Sequence, residues 1–172
     1  MSNPYMKLAK RSVKNFMEKP WQQGWQWAIE IDAPDAPADF DIYVKDIDYG
    51  EGSIDADTFQ VGSGHIALPT AASASEITMT VRDDQKKTIS DWFDGRLAKV
   101  KNQDGTLNIP IDYIFKIKIF DLDDDGNKTF RKAYQVFPTK KGNINNSREA
   151  ANSIRSFPLI FQKFMSVGNK VL

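Results

Sequence analysis

Alternating apolar and polar residues predict β-strands along most of this chain. Residues 25–31 place Trp25, Trp27, Ile29 and Ile31 on one face of a strand and polar or small residues on the other. The same two-residue period recurs in five further segments, at residues 41–49, 76–81, 111–122, 128–140 and 158–167. The pattern therefore predicts a protein that is mainly β.

Turn residues divide some of these segments into strand pairs. The run DDDGN separates 111–122 from 128–140, which predicts one long β-hairpin. Residues 58–69 predict a strand pair or one bent strand, because Gly62 and Gly64 mark a turn or a bulge. Pro69 is expected to end that strand, and the small residues of 70–75 are interpreted as a linker.

Helical spacing is clearest in one segment. Ile89, Trp92, Phe93 and Leu97 recur on one face, which predicts a helix over residues 84–99. Asp83 or Asp84 is expected to cap its first turn. Gly95 favours an end of the helix near that residue, because glycine costs about 1 kcal/mol relative to alanine there.

The N-terminal segment predicts a second, weakly amphipathic helix that ends at Pro20. Its apolar residues are Leu8, Val13, Phe16 and Met17, with basic residues between them. A thin apolar face favours docking on a neighbouring subunit, or fraying, over a helix lying on a membrane surface.

The remaining segments are read as loops. Residues 32–39, DAPDAPAD, contain two prolines and predict an acidic loop, and 101–110 predict a loop with an Asp-Gly turn. Residues 147–154 fit either a short helix or a loop. About seven strands and one clear helix predict an antiparallel β-sandwich or barrel (α+β, mainly β) with one packed helix. We expect residues 1–19 to be a basic extension and 20–172 a single domain.

Composition excludes several chemistries. The 172 residues suffice for one domain with a sizeable core, and 41% are hydrophobic and 27% charged. The chain has no cysteine and a single histidine, His65. Disulfides, thiolate metal sites and mechanisms that need two histidines are therefore excluded. No apolar run approaches the roughly 18 residues of a membrane span.

Charge is zero overall but unevenly distributed along the chain. Residues 1–19 carry five bases and one acid. Residues 30–57 carry a single base, Lys45, and ten acids: Glu30, Asp32, Asp35, Asp39, Asp41, Asp46, Asp48, Glu51, Asp55 and Asp57. Two interpretations stay open: oppositely charged faces meet between subunits, or each block is a solvated face.

A calcium-loop spacing begins at Asp121-x-Asp123-x-Asp125-Gly126. An EF-hand also needs a bidentate Glu at position 12 and a helix on either side. Position 12 is Lys132, and both flanking segments predict strands. We therefore interpret the run as a hairpin turn and predict no metal site.

Other candidate residues give no convincing site. His65 follows two glycines in a predicted strand, and Asp91 fits the solvent face of the predicted helix. GEGS and GSGH lack the remaining residues of a phosphate-binding loop. Trp21, Trp25 and Trp27 would also suit stacking on sugars or bases, but their alternation favours a core role. We predict no catalytic residue, no cofactor and no enzymatic activity.

The order of these segments resembles the tail tube protein family of contractile bacteriophages. The resemblance covers roughly residues 20–165 and is carried mainly by two segments. The first is the strand–helix run SEITMTVRDDQKKTISDWFDGRL (75–97), and the second is the hairpin with the closing strand FPLIFQKF (111–165). An acidic loop and DIYVKDIDYGEG precede them.

The resemblance implies a structural virion protein. Six copies would form a ring, and rings would stack into the inner tube of a phage tail, through which DNA passes without specific binding. The implied partners are the tail sheath, the baseplate hub and the tape-measure protein, with no membrane, after assembly in the host cytoplasm. Alternatives are a baseplate-proximal initiator or hub ring, or a monomeric β-sandwich binding module.

Overall fold

The strands form a six-stranded antiparallel sheet and a separate two-stranded hairpin. The computed structural model describes residues 4–144 and 154–165. Its strands are β1 (Trp27–Asp32), β2 (Val44–Tyr49), β3 (Ser53–Val61), β4 (Gly64–Ser73), β5 (Glu76–Arg82), β6 (Phe115–Leu122), β7 (Lys128–Lys141) and β8 (Ser156–Lys163). The main sheet has the order β1-β6-β7-β8-β5-β2, and β3 and β4 form the hairpin. The predicted mainly-β, antiparallel class is confirmed.

Four helices accompany the strands in the described residues. They are α1 (Pro4–Glu18), α2 (Phe40–Tyr43), α3 (Thr88–Val100) and α4 (Pro110–Tyr113). Asp84 accepts the amide of Thr88 at 2.9 Å and Asp83 accepts that of Ile89 at 3.2 Å, so both acids bind amides of the first turn of α3. The N-cap position itself is Lys87, and α3 begins at Thr88, four residues later than predicted. The expected end near Gly95 is wrong, since α3 continues to Val100.

Helix α3 packs against one face of the main sheet through its aromatic residues. The rings of Phe93 and Phe161 have centroids 5.3 Å apart, and those of Trp92 and Phe115 are 6.0 Å apart. Edge-to-face contacts of this kind add to the stability gained from burial. The buried core combines α3 with β1 and the four central strands: Ile29, Phe40, Ile77, Met79, Val81, Ile89, Trp92, Phe93, Phe115, Ile117, Ile119, Tyr134, Val136, Phe157, Leu159 and Phe161.

A buried arginine joins α3 to the acidic loop at residues 32–39. Arg96 is only 3% exposed and lies over the ring of Phe115, 4.8 Å from its centroid. Its guanidinium lies 3.0 Å from one carboxylate oxygen of Asp35, and the other oxygen accepts a hydrogen bond from Lys99 at 2.8 Å. Burial lowers the pKa of Arg96, and Asp35 opposes that shift. The loop predicted from its prolines is thus held against the helix by charge.

Two predicted strands begin with a helical turn instead. Residues 40–43 form α2, so the strand expected at 41–49 starts only at Val44. Residues 110–113 form α4, so the strand expected at 111–122 starts at Phe115. Pro110 occupies the first turn of α4. The backbone N–H that proline lacks would have no partner within the helix at this position.

Three further expectations about strands are wrong. Trp25 precedes β1 and is 69% exposed, so it does not share the buried face of Ile29. A bulge between Val44 and Asp46 breaks the simple alternation expected there. Residues 70–73 extend β4 rather than forming a linker, because they continue its pairing with β3.

Other predictions are confirmed, and one lies outside the described residues. The strand at 76–81 and the long hairpin of β6 and β7 are present. β8 buries Phe157, Leu159, Phe161 and Lys163 on one face. The alternative helix or loop at 147–154 falls, apart from its last residue, outside the described residues.

The α3 contact yields a stability prediction. Trp92→Ala and Phe93→Ala should each lower the free energy of unfolding by about 3–5 kcal/mol, because each removes a buried aromatic side chain. Urea denaturation followed by circular dichroism measures the change. Asp91→Ala, at an exposed position of the same helix, is the control and should stay close to the unmodified protein. An unchanged midpoint for Phe93→Ala would contradict the packing described here.

Candidate assembly surfaces

The β3–β4 hairpin extends away from the core. Every residue of both strands is exposed, and the two strands pair with each other from Ser53↔Ser73 to Val61↔Gly64. An isolated two-stranded hairpin is marginally stable in water. A hairpin of this length therefore needs either a firm base or a second surface to pack against.

One face of this hairpin is apolar near its tip. Phe59 pairs with Ile66, and Leu68 and Val61 follow at neighbouring positions of the same face. These four side chains are each 50–58% exposed. Asp55 and Asp57 share this face nearer the base. We call the surface formed by these six residues the hairpin face.

The base of the hairpin is held by charged and aromatic groups on the main sheet. Glu51 accepts hydrogen bonds from Lys132 and from the hydroxyl of Tyr134, the latter at 3.2 Å. The ring of Tyr134 lies 4.0 Å from the ammonium of Lys163 and 6.1 Å from the ring of Tyr49. These contacts connect the segment before β3 to strands β7 and β8.

Backbone contacts complete this base. Lys163, 6% exposed, donates to the carbonyl of Gly50, which also accepts from the hydroxyl of Ser75 at 2.7 Å. Gly52 has φ +98°, and a Cβ atom there would lie 2.1 Å from the carbonyl oxygen of Ser73. Only glycine permits this approach, so the start of β3 is fixed against the end of β4.

The pKa values in this cluster follow from its partial burial. The hydrogen bond from Lys132 is the main cause that lowers the pKa of Glu51. Burial, reinforced by Glu51, raises the pKa of Tyr134 to about 12. Burial also lowers the pKa of Lys163, with Glu51 opposing it. The cluster serves as an anchor that holds Gly50 and Glu51 to strands β7 and β8.

The two edges of the main sheet differ. On β1 the amide of Ile29 donates to the carboxylate of Asp41 at 2.8 Å, so this donor is already satisfied within the chain. On β2, which pairs only with β5, Lys45, Asp46 and Asp48 are exposed. Charged residues on an edge strand oppose indiscriminate pairing with other sheets.

Helix α1 is a further exposed surface. Residues 5–19 are all exposed, and Phe16 packs on Trp21 with ring centroids 4.9 Å apart. Helical geometry places Met6, Ala9, Val13 and Met17 along one apolar stripe. Met6 and Ala9 add to the apolar residues expected from the sequence, so the stripe runs along most of the helix.

The acidic block does not form one continuous surface. Five of its ten acids lie within 4 Å of a lysine or arginine: Glu30 with Lys128, Asp32 with Lys118, Asp35 with Arg96 and Lys99, Asp46 with Lys45, and Glu51 with Lys132. Asp48, Asp55 and Asp57 form no ion pair among the described residues. Asp39 and Asp41, at α2, form none either, so the uncompensated negative charge is divided between α2 and strands β2 and β3.

The calcium-like run is a hairpin turn. Asp123 accepts the backbone amides of Asp125 at 3.1 Å and Asn127 at 2.7 Å, and its second oxygen accepts the Asn127 side chain. Asp121 pairs with Arg131, and Asp124 accepts from Gln26 at 2.7 Å. These carboxylates are directed at protein partners. No group of three or more potential metal ligands occurs in residues 4–144 and 154–165.

The other sequence candidates do not converge. His65 is exposed on β4 opposite Gln60, and Asp91 is exposed on α3 as expected. Trp27 packs at the margin of the core, whereas Trp21 is 50% exposed, so the core interpretation holds for only one of the three tryptophans. The GSGH run is the tip of the β3–β4 hairpin, and GEGS is its base. In the described part of the chain, no helix is long and apolar enough to cross a membrane.

Sequence reasoning missed the anchor of Glu51, Lys132, Tyr134 and Lys163. Its members come from three separate segments, and only the glycines on either side of Glu51 marked the place. A glycine–acid–glycine run before an alternating segment was a usable signal of a constrained strand start.

Solved structures of contractile injection systems share this fold. A chain from the PVC sheath/tube terminator in its extended state is 15% identical, with a TM-score of 0.60 and coverage of 85% of this chain and 94% of that one. A chain from the PVC sheath-tube complex in its extended state is 15% identical, with a TM-score of 0.59 and coverage of 88% and 93%. A chain from the anti-feeding prophage cap, described as a tube terminating cap, is 12% identical, with a TM-score of 0.61 and coverage of 84% and 88%.

These comparisons define the class of fold. The protein has the tail-tube-type fold of contractile injection systems, and the resemblance stated from the sequence is confirmed at that level. No protein-family model matches the chain, and no curated protein matches it by sequence.

The turn at Asp123 yields a prediction about calcium. Asp123→Ala should lower the melting temperature equally with and without calcium, because it removes hydrogen bonds to the turn. Asp125→Asn is the matched control and should change little. Differential scanning calorimetry with calcium or with a chelator tests this. A rise in melting temperature on adding calcium, lost in both variants, would contradict the turn interpretation.

The anchor yields a prediction about pH. The pKa of Glu51 in the folded protein is below its ordinary value of 4.5. Its contribution to stability is therefore complete above that value and is lost as the pH falls through the lowered pKa. Hydrogen-exchange protection of β3 and β4 should decline in this range.

Two variants separate this cause from general acid effects. Glu51→Gln should show reduced hairpin protection already at neutral pH and a weaker dependence on acid. Glu76→Gln, at an exposed position, should behave like the unmodified protein. Equal protection in Glu51→Gln and the unmodified protein at pH 7 would show that Glu51 does not anchor the hairpin.

Proposed function

We propose that this protein is a structural subunit that forms hexameric rings, and that these rings stack into the inner tube of a contractile tail or injection particle. The observation that carries the proposal is the anchored β3–β4 hairpin, exposed along its whole length, on a tail-tube-type fold. A rigidly held surface that the subunit leaves uncovered fits a head-to-tail contact between copies.

The geometry of the edges supports assembly rather than catalysis. A head-to-tail contact that closes on itself gives a ring, and one that repeats along an axis gives a filament. Stacked rings need both contacts, and the chain offers several separate surfaces: the hairpin, the β2 edge and α1. The titratable cluster at the hairpin base is used to fix the backbone, so we propose no enzymatic role.

The proposal includes partners and place. The tube would contact a tail sheath, a baseplate hub and a tape-measure protein, in a particle assembled in the host cytoplasm. DNA would pass through the bore without specific binding, which is consistent with a formal net charge of zero. Residues 20–172 would form the ring-building domain, and 1–19 an accessory extension.

A specialised ring at one end of the tube is the second candidate function. Two of the similar structures are described as a sheath/tube terminator and a tube terminating cap. The exposed basic helix α1 is an additional surface that would suit a different neighbour on one side of a ring. The baseplate-proximal initiator or hub ring belongs to this candidate as well.

Negative-stain electron microscopy with solution mass tests both candidates. Tubes are expected for the main-tube role, and six-fold rings that do not elongate for a terminal ring. A protein that stays monomeric at all concentrations, also with sheath and baseplate proteins of the same particle, would contradict the proposal and favour a monomeric binding module.

A hairpin variant gives this test a structural control. Replacing residues 53–73 by a short Gly-Ser turn should leave a folded monomer that forms no rings, as judged by circular dichroism and mass. Leu107→Ser, at an exposed position of another loop, should assemble normally. Rings formed by the hairpin-free variant would show that assembly uses other surfaces.

A further inference from the structure

Helix α1 combines an apolar face with a basic one. Met6, Leu8, Val13, Phe16 and Met17 lie within one half of the helical circumference, and each is 57–79% exposed. Lys7, Lys10, Arg11 and Lys14 lie together on the other half. A helix with this division of side chains is expected to pack its apolar half against another surface.

The hairpin face has the complementary chemistry. It presents Phe59, Val61, Ile66 and Leu68 beside Asp55 and Asp57, and neither acid is in an ion pair among the described residues. Lys7, Lys10 and Arg11 likewise form no ion pair within those residues. Apolar contact would hold the helix against the hairpin, and the opposite charges beside it would fix the position of one surface along the other.

The two surfaces also match in length. The 15 residues of α1 span roughly 22 Å at 1.5 Å per residue. The hairpin face runs along residues 55–61 of β3, which span about 20 Å at 3.3 Å per residue. A helix lying along one face of a two-stranded ribbon would thus cover most of its apolar side chains.

Both surfaces are exposed, and no part of residues 4–144 and 154–165 covers either of them. We infer that α1 of one copy packs on the hairpin face of a second copy. This inference rests on the proposed ring-forming function and names the surfaces that one of its contacts uses. A basic amphipathic helix also suits an anionic membrane surface, but the presence of an acidic and apolar counterpart on the same molecule favours a second copy.

Disulfide trapping tests the contact directly, because the chain contains no cysteine. A Val13→Cys chain is mixed with a Leu68→Cys chain of different mass under mild oxidation. Each chain then carries one thiol, so a mixed disulfide reports a contact between copies. We expect the mixed disulfide to be the main cross-linked product, whereas Asp91→Cys mixed with Leu68→Cys should give little.

Charge reversal tests the register of the same contact. Lys7→Glu with Lys10→Glu, introduced into the Val13→Cys chain, should reduce the mixed disulfide about tenfold, as should Asp55→Lys with Asp57→Lys in the Leu68→Cys chain. Mixing the two reversed chains should restore it. Lys86→Glu with Lys101→Glu, at exposed positions elsewhere, is the matched control and should have no effect.

The outcomes separate this inference from the proposed function. Rings or tubes without the mixed disulfide would overturn the inference and leave the ring proposal standing. A mixed disulfide in a protein that forms no rings would support the contact and contradict the ring. Binding of α1 to vesicles of phosphatidylglycerol and phosphatidylcholine, with no mixed disulfide, would overturn the inference in favour of a membrane surface.

Discussion

The packing of Phe93 and Trp92 of α3 on the main sheet is the contact on which the other elements depend. It buries one face of β6 through Phe115 and one face of β8 through Phe161. Phe40 of α2 packs on the same cluster from the β1 side, and its ring centroid lies 5.1 Å from that of Trp92. Arg96, one turn further along α3, fixes Asp35 and thereby the loop that precedes α2. One helix thus organises both edges of the sheet.

This arrangement leaves two of the described elements outside the core. The core is formed by α3, β1 and the central strands, whereas the β3–β4 hairpin and α1 lie outside it. The anchor around Glu51 and Lys163 is the connection between the two parts. A substitution on the exposed hairpin therefore changes the surface of the protein without removing a core contact.

The sequence predicted those features that depend on local pattern. Alternation located β5, the β6–β7 hairpin and β8, and the spacing of Ile89, Trp92 and Phe93 located α3. It failed where a distant contact decides the outcome. Residues 70–73 look like a linker until β3 pairs with them, and the one-turn helices α2 and α4 are too short to show a period. The anchor was hidden because its ion pairs join segments far apart in the chain.

The hydrogen bond from the Ile29 amide to Asp41 affects how readily the free subunit adds a further strand at β1. A newly made β-protein with an open edge is exposed to templated fibril growth. Here the Ile29 amide on that edge is bound by a side chain of the same molecule, which a neighbouring strand would have to displace in order to pair there. In the free subunit, strand addition along β1 is therefore opposed at this position.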